Sequence, residues 1–193
     1  MAIIYNPNKR IFTLHTKHST YQMQVDSLGY LLHLYYGAKN NSSMEYVLTY
    51  ADRGFSGNPY AAGADRTYSL DALPQEFPTL GTGDYRNIAL DIKNSRGIES
   101  TNLLYKKHEI RKGKYALPGL PAVWADEAEA QTLEIVLADE NVGMEVHLLY
   151  GVLEEVDVIT RSAVIRNIGT ETVTIEKAAA ACLDFVSGNY DVI

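Results

Sequence analysis

Cysteine, basic surplus and long apolar runs are what this sequence lacks. One cysteine, Cys182, occurs in 193 residues, so no internal disulfide framework exists and a small secreted, cross-linked scaffold is excluded. Seventeen Lys and Arg face 24 Asp and Glu, for a formal charge of -7. A phosphate-tracking surface would have to work against that field, which argues against nucleic acid as a partner. No apolar stretch reaches the ~18 residues of a membrane span; even Lys177 to Phe185 is short and bounded by charge. The start, Met1-Ala2-Ile3-Ile4-Tyr5, has neither the basic opening nor the apolar run of a secretion signal, so the expected location is cytoplasmic and no membrane partner is expected. Missing too are CxxC, HExxH, GxSxG, a P-loop and a GxGxxG after a strand, the short motifs whose spacing carries a defined mechanism.

What is present is a folding composition, 46% hydrophobic and 21% charged, which excludes disorder and collagen-like repetition. The length suits one domain or slightly more. Apolar residues recur with period two, the signature of strands with one buried face. Ile11 to His15 is one such run, and in Tyr21-Gln22-Met23-Gln24-Val25 the apolar residues take one face and the glutamines the other. Leu133, Ile135 and Leu137, then Met144, Val146, Leu148 and Tyr150, read as a hairpin. Its connection, Asp139 to Gly143, supplies the Asp, Asn and Gly of a tight turn. Val156 to Ile168 and Thr172 to Ile175 predict a further strand pair turning at Asn167 to Thr170.

Between Gly37 and Arg86 the alternation dissolves into Gly, Ser, Asn, Pro, Asp and scattered tyrosines. That exceeds the ~12 to 15 residues of passive connectors and marks a functional loop. A helical turn at Ser43 to Tyr46 and a strand at Arg66 to Leu70 are expected inside it, while Ala122 to Gln131 lacks a helical apolar stripe. The fold class expected is all-β, an antiparallel two-sheet sandwich. Tyr190 to Ile193 reads as a strand cut short; an open edge there predicts association with another chain.

For chemistry, the five histidines, His15, His18, His33, His108 and His147, have no spacing that would put two on one ion, so no metal site is expected. Cys182, in an Ala-rich segment, reads as a buried hydrophobe. Fourteen tyrosines outnumber four phenylalanines and one tryptophan; such rings suit half-exposed strand positions and also sugars. Asp52-Arg53 and Asp65-Arg66 bracket Gly54-Phe55-Ser56-Gly57-Asn58-Pro59. A carboxylate accepts from sugar hydroxyls and a guanidinium donates in a planar fork, so one Asp and one Arg can read a diol. Local Asp to Arg pairing on a solvated loop is the other reading of these residues. In Gly83-Asp84-Tyr85-Arg86, Asp84 is a turn former on the same reasoning.

These segments carry a resemblance. Gly29-Tyr30-Leu31-Leu32-His33-Leu34-Tyr35-Tyr36-Gly37, Asp52 to Pro59 and Gly83 to Arg86, followed in order by Leu117 to Ala122, Ala130 to Leu133, Ile159 to Ser162 and Asn167, make the chain resemble the N-terminal domain of bacterial α-galactosidases of glycoside hydrolase family 36. Gly57 departs from the family pattern, which usually has proline there. The resemblance implies a β-supersandwich over residues 1 to 193 that precedes a (β/α)8 barrel in an enzyme hydrolysing terminal α-galactosides such as melibiose and raffinose with retention. Both catalytic aspartates of the family sit in that barrel, so this chain is expected to hold no catalytic residue, no cofactor and no activity alone. The resemblance further implies a homo-oligomer in which the loop enters a neighbour's pocket. By motif, Asp52 and Arg66 would there touch substrate. An autonomous carbohydrate-binding module is the alternative function.

Overall fold

The computed structural model describes residues 2–54 and 57–183. Ten strands are assigned among them: β1 Ile3–Asn6, β2 Ile11–His15, β3 Ser19–Val25, β4 Leu31–Ala38, β5 Leu90–Asn94, β6 Leu104–Lys112, β7 Gln131–Asp139, β8 Met144–Leu153, β9 Val158–Asn167 and β10 Val173–Ala178. They form antiparallel sheets in the orders β1-β2-β3-β4 and β6-β7-β8-β9, with β5 and β10 as a separate pair. The arrangement is a sandwich with no closed barrel, and its strands fall where the period-two pattern called for them. Among the described residues, no helix is long and apolar enough to cross a membrane.

One core joins the sheets. Phe12, Leu14, Met23 and Val25 from the first meet Leu133, Ile135, Leu137, Val146, Leu148 and Tyr150 from the second, and Leu90 and Ile92 of β5 close it. The alternation in β7 and β8 places the named apolar residues inward. Their hairpin turn is held as its composition dictates: Asp139 Oδ1 accepts from the backbone amides of Asn141 and Val142, and Gly143 takes a positive φ of 74°.

Three expectations are corrected. β9 and β10 do not form a hairpin: β9 pairs with β8, and β10 crosses to β5. The physical cause lies at Gly143, whose carbonyl accepts from both Ile168 and Gly169 amides and so carries the chain over the β7–β8 turn toward the other layer. On the glutamine face of β3, Gln22 is buried by the start of the long loop; its Nε2 donates to Ser42 O at 3.0 Å and its Oε1 accepts from Met44 N at 3.0 Å. Arg66 to Leu70 forms turns, not a strand. There Asp65 Oδ1 captures both the amide and the hydroxyl of Thr67, a local alternative to ladder bonding. Cys182 packs on the core but is only half-buried. The expected helical turn is met by a 3-10 turn at Glu45–Val47. The run ending at Phe185 and the strand expected at Tyr190 to Ile193 lie wholly or partly outside the described residues.

Candidate functional site

The long segment after β4 is anchored at both ends and open in the middle. Its first part packs Met44 on Ile11 and Leu34. Its return packs Tyr68, Leu70 and Leu73 on Tyr30 and Leu32, and Tyr68 Oη donates to Asp26 Oδ2 at 2.5 Å. Burial and that carboxylate push the Tyr68 hydroxyl well above its ordinary pKa, keeping it a donor. Next the chain runs along the free edge of β4, where the His33 amide donates to Pro74 O at 2.7 Å and the Glu76 amide to Leu31 O at 2.9 Å. An edge strand is thereby covered by the protein's own loop.

Between these anchors lie the charged residues that the sequence singled out. They do pair, but across the loop rather than with sequence neighbours. Arg66 Nη2 lies 3.1 Å from Asp52 Oδ1, with side chains 65% and 53% exposed. Arg53 Nε lies 3.6 Å from Asp71. Asp52 Oδ1 also accepts from the Gly54 amide at 2.8 Å, and Asn58 Nδ2 donates to Asp65 O at 2.9 Å, tying the two limbs. A pair this exposed adds only ~0 to 1 kcal/mol to stability. Phe55 and Ser56 of the motif lie outside the described residues.

Asp84 does more than form a turn. It is 1% exposed. Arg86 grips it with Nε on Oδ1 and Nη2 on Oδ2, both at 2.9 Å, and Gln75 Nε2 donates to Oδ2 at 3.0 Å. The same guanidinium donates to Leu70 O and Leu73 O. Both carboxylate oxygens are thus committed to holding the loop base. Just before it, Gly83 takes φ 92° and receives the Gly57 carbonyl so closely that a Cβ there would lie 2.2 Å from that oxygen.

A buried polar node escaped the sequence reading. Glu76 is 0% exposed between the layers. Its Oε1 accepts from Tyr21 Oη at 2.6 Å, Tyr150 Oη at 2.7 Å and Arg161 Nη1 at 2.9 Å; its Oε2 faces His33 Nδ1 at 3.2 Å. Arg161 Nη2 adds a bond to the Glu76 carbonyl at 2.8 Å. Burial alone would raise the Glu76 carboxyl, but Arg161 and His33, with Tyr21 donating, outweigh it and hold its pKa below the ordinary value. Burial and then Glu76 push both tyrosines well above theirs.

Elsewhere, a groove of about 500 Å³ lined by Lys112, Glu127, Glu129, Gln131 and Glu154 shares no residue with the loop. Among the described residues, no three His, Cys, Asp or Glu side chains converge to hold a metal ion.

Comparison with known proteins bears on this geometry. Residues 29–193 match the Glycosyl hydrolase family 36 N-terminal domain. The chain is 80% identical over 193 residues to the bifunctional alpha-galactosidase/sucrose kinase AgaSK of Mediterraneibacter gnavus, covering all of this chain and 21% of that protein. The galactosidase domain of AgaSK superposes with a TM-score of 0.94 at 81% identity, over 97% of this chain and 26% of that one. Alpha-galactosidase AgaA of Geobacillus stearothermophilus is 42% identical over 195 residues, all of this chain and 26% of its own length. A variant of AgaA solved in complex with raffinose superposes with a TM-score of 0.84 at 42% identity, over 89% and 24% of the two chains. The chain thus spans about a quarter of the length of these curated relatives.

Proposed function

Since the chain belongs to the family 36 glycosyl hydrolase N-terminal domains, we propose that it is the non-catalytic N-terminal domain of an α-galactosidase, and that Asp52 and Arg66 complete a substrate pocket in a neighbouring subunit. The observation that carries the reading is the exposed Asp52–Arg66 pair, held by turned backbone on a loop whose ends are buried. One member accepts and the other donates, so vicinal sugar hydroxyls can replace the pair's own contact at little cost.

Hydrolysis itself belongs elsewhere in the enzyme. Retaining chemistry needs a nucleophile and an acid/base ~5 to 5.5 Å apart. Asp84 is withdrawn into its bonds with Arg86 and Gln75, and Asp52 is engaged by Arg66. In this reading neither aspartate transfers a proton to the glycosidic oxygen; Asp52, with Arg66, orients substrate. The likeness to AgaA, a variant of which was solved with raffinose, supports raffinose-type α-galactosides as the substrate class.

The test is steady-state kinetics of the full-length enzyme. Asp52→Ala and Arg66→Ala are expected to raise KM about tenfold with kcat changed far less, the mark of lost binding rather than lost chemistry. A variant that dissociates the oligomer while keeping both residues should reproduce the defect. Wild-type kinetics in both alanine variants would leave only a solvated surface pair.

A further inference from the structure

One exposed aromatic of the loop is fixed from both sides. Tyr85 is 82% exposed, yet it stands between Asp84, fully buried, and Arg86, which spends its guanidinium on Asp84 and on the carbonyls of Leu70 and Leu73. Its backbone therefore has little freedom. The Tyr85 ring lies along Gly57, with its hydroxyl 3.5 Å and its Cε2 4.0 Å from where a Cβ on Gly57 would stand. Gly57 belongs to the same loop as Asp52 and Arg66, and its carbonyl is seated on Gly83. The turn that presents the ring and the loop that presents the ion pair are thus one packed unit. Tyr46 and Tyr60 are also exposed on this loop, each carried on a short 3-10 turn, whereas Tyr85 is flanked directly on both sides by the two members of the Asp84–Arg86 pair.

We propose that Tyr85 is a substrate-positioning residue, its ring face forming the apolar platform on which a pyranose of the bound α-galactoside stacks. The proposal rests on the shared-pocket reading of Asp52 and Arg66 and extends it. A pyranose presents hydroxyls around its rim and C–H bonds on its face. Charged groups serve the rim; an aromatic face serves the C–H surface. Because the clamp at Asp84 has already ordered the backbone, little further entropy is lost on binding.

The experiment compares Tyr85→Ala, Tyr85→Phe and Asp52→Ala in the full-length enzyme, with melibiose and raffinose as substrates. Tyr85→Ala is expected to raise KM up to about tenfold, the size of one aromatic stacking contact, with kcat nearly unchanged. Tyr85→Phe keeps the ring face and is expected to restore wild-type KM. Sedimentation and thermal melting should be unaltered, since the ring is exposed. A wild-type KM in Tyr85→Ala beside a raised KM in Asp52→Ala overturns the stacking role and leaves the shared pocket standing. Wild-type kinetics in Asp52→Ala and Arg66→Ala remove the shared pocket and this inference together. A change in association state with Tyr85→Ala would make the residue a subunit contact and overturn the proposal.

Discussion

Glu76 shows how much one side chain can hold. A carboxylate with three oxygen or nitrogen donors on one oxygen and a histidine on the other is stable in the interior only because each charge is answered. Glu76→Gln is therefore expected to destabilise the chain by about 3 to 5 kcal/mol, because Arg161 is left as an uncompensated buried charge; urea denaturation measures it. The pH dependence follows the same logic. Glu76 has a depressed pKa in the fold, so its contribution is present above the unfolded carboxyl value near ~4.3 and lost as pH falls below it. Tyr21 and Tyr150 have raised values, so theirs is present below ~10 and lost as pH climbs beyond. A stability plateau with both limbs is expected, and Tyr150→Phe should soften the alkaline one. None of this was readable in advance. A glutamate between Gln75 and Phe77 in a polar loop reads as solvated until the two sheets are seen to close over it.

At the scale of elements, alternation revealed faces better than neighbours. Leu133 to Tyr150 gave the hairpin correctly because a short Asp, Asn and Gly turn leaves its two strands no choice but each other. The same reasoning failed after Asn167. Period two says that β10 has an inward side, yet nothing in Val173 to Ala178 says that β5, some eighty residues earlier, is the partner. Alternation was likewise silent on what covers Gln22, since the covering segment comes from outside its own strand. The long irregular segment was legible from its composition, and Asp52 and Arg66 were legible among its charged residues. Their pairing across the loop was not, because sequence neighbours offered themselves first. The crossing at Gly143 can be checked directly. Gly143→Ala demands a positive φ of a side-chain residue and puts a Cβ 2.6 Å from Gly169 Cα. A loss of about 1 to 3 kcal/mol is expected on thermal melting, more than a simple left-handed alanine would cost.

Over the whole molecule, the partners of Glu76 lie far apart along the chain. Tyr21 is 55 residues away, Tyr150 is 74 and Arg161 is 85. Contacts of that separation form only after the intervening chain has closed, and closing it early has no local reward. The Glu76 node thus cannot be assembled piecemeal; it waits for β3, β8 and β9 to meet. Opening it later demands the reverse, so the amide of Glu76, bonded to Leu31 O, is expected to exchange its hydrogen only through near-global unfolding. The amide of Gly54, bonded to an exposed aspartate, should exchange through small local openings. Hydrogen exchange followed by mass spectrometry would register both in one experiment. Two clocks would then run in one domain: a slow one set by the buried node, and a faster one at the exposed aspartate, where a bond can open and close many times before the sheets part.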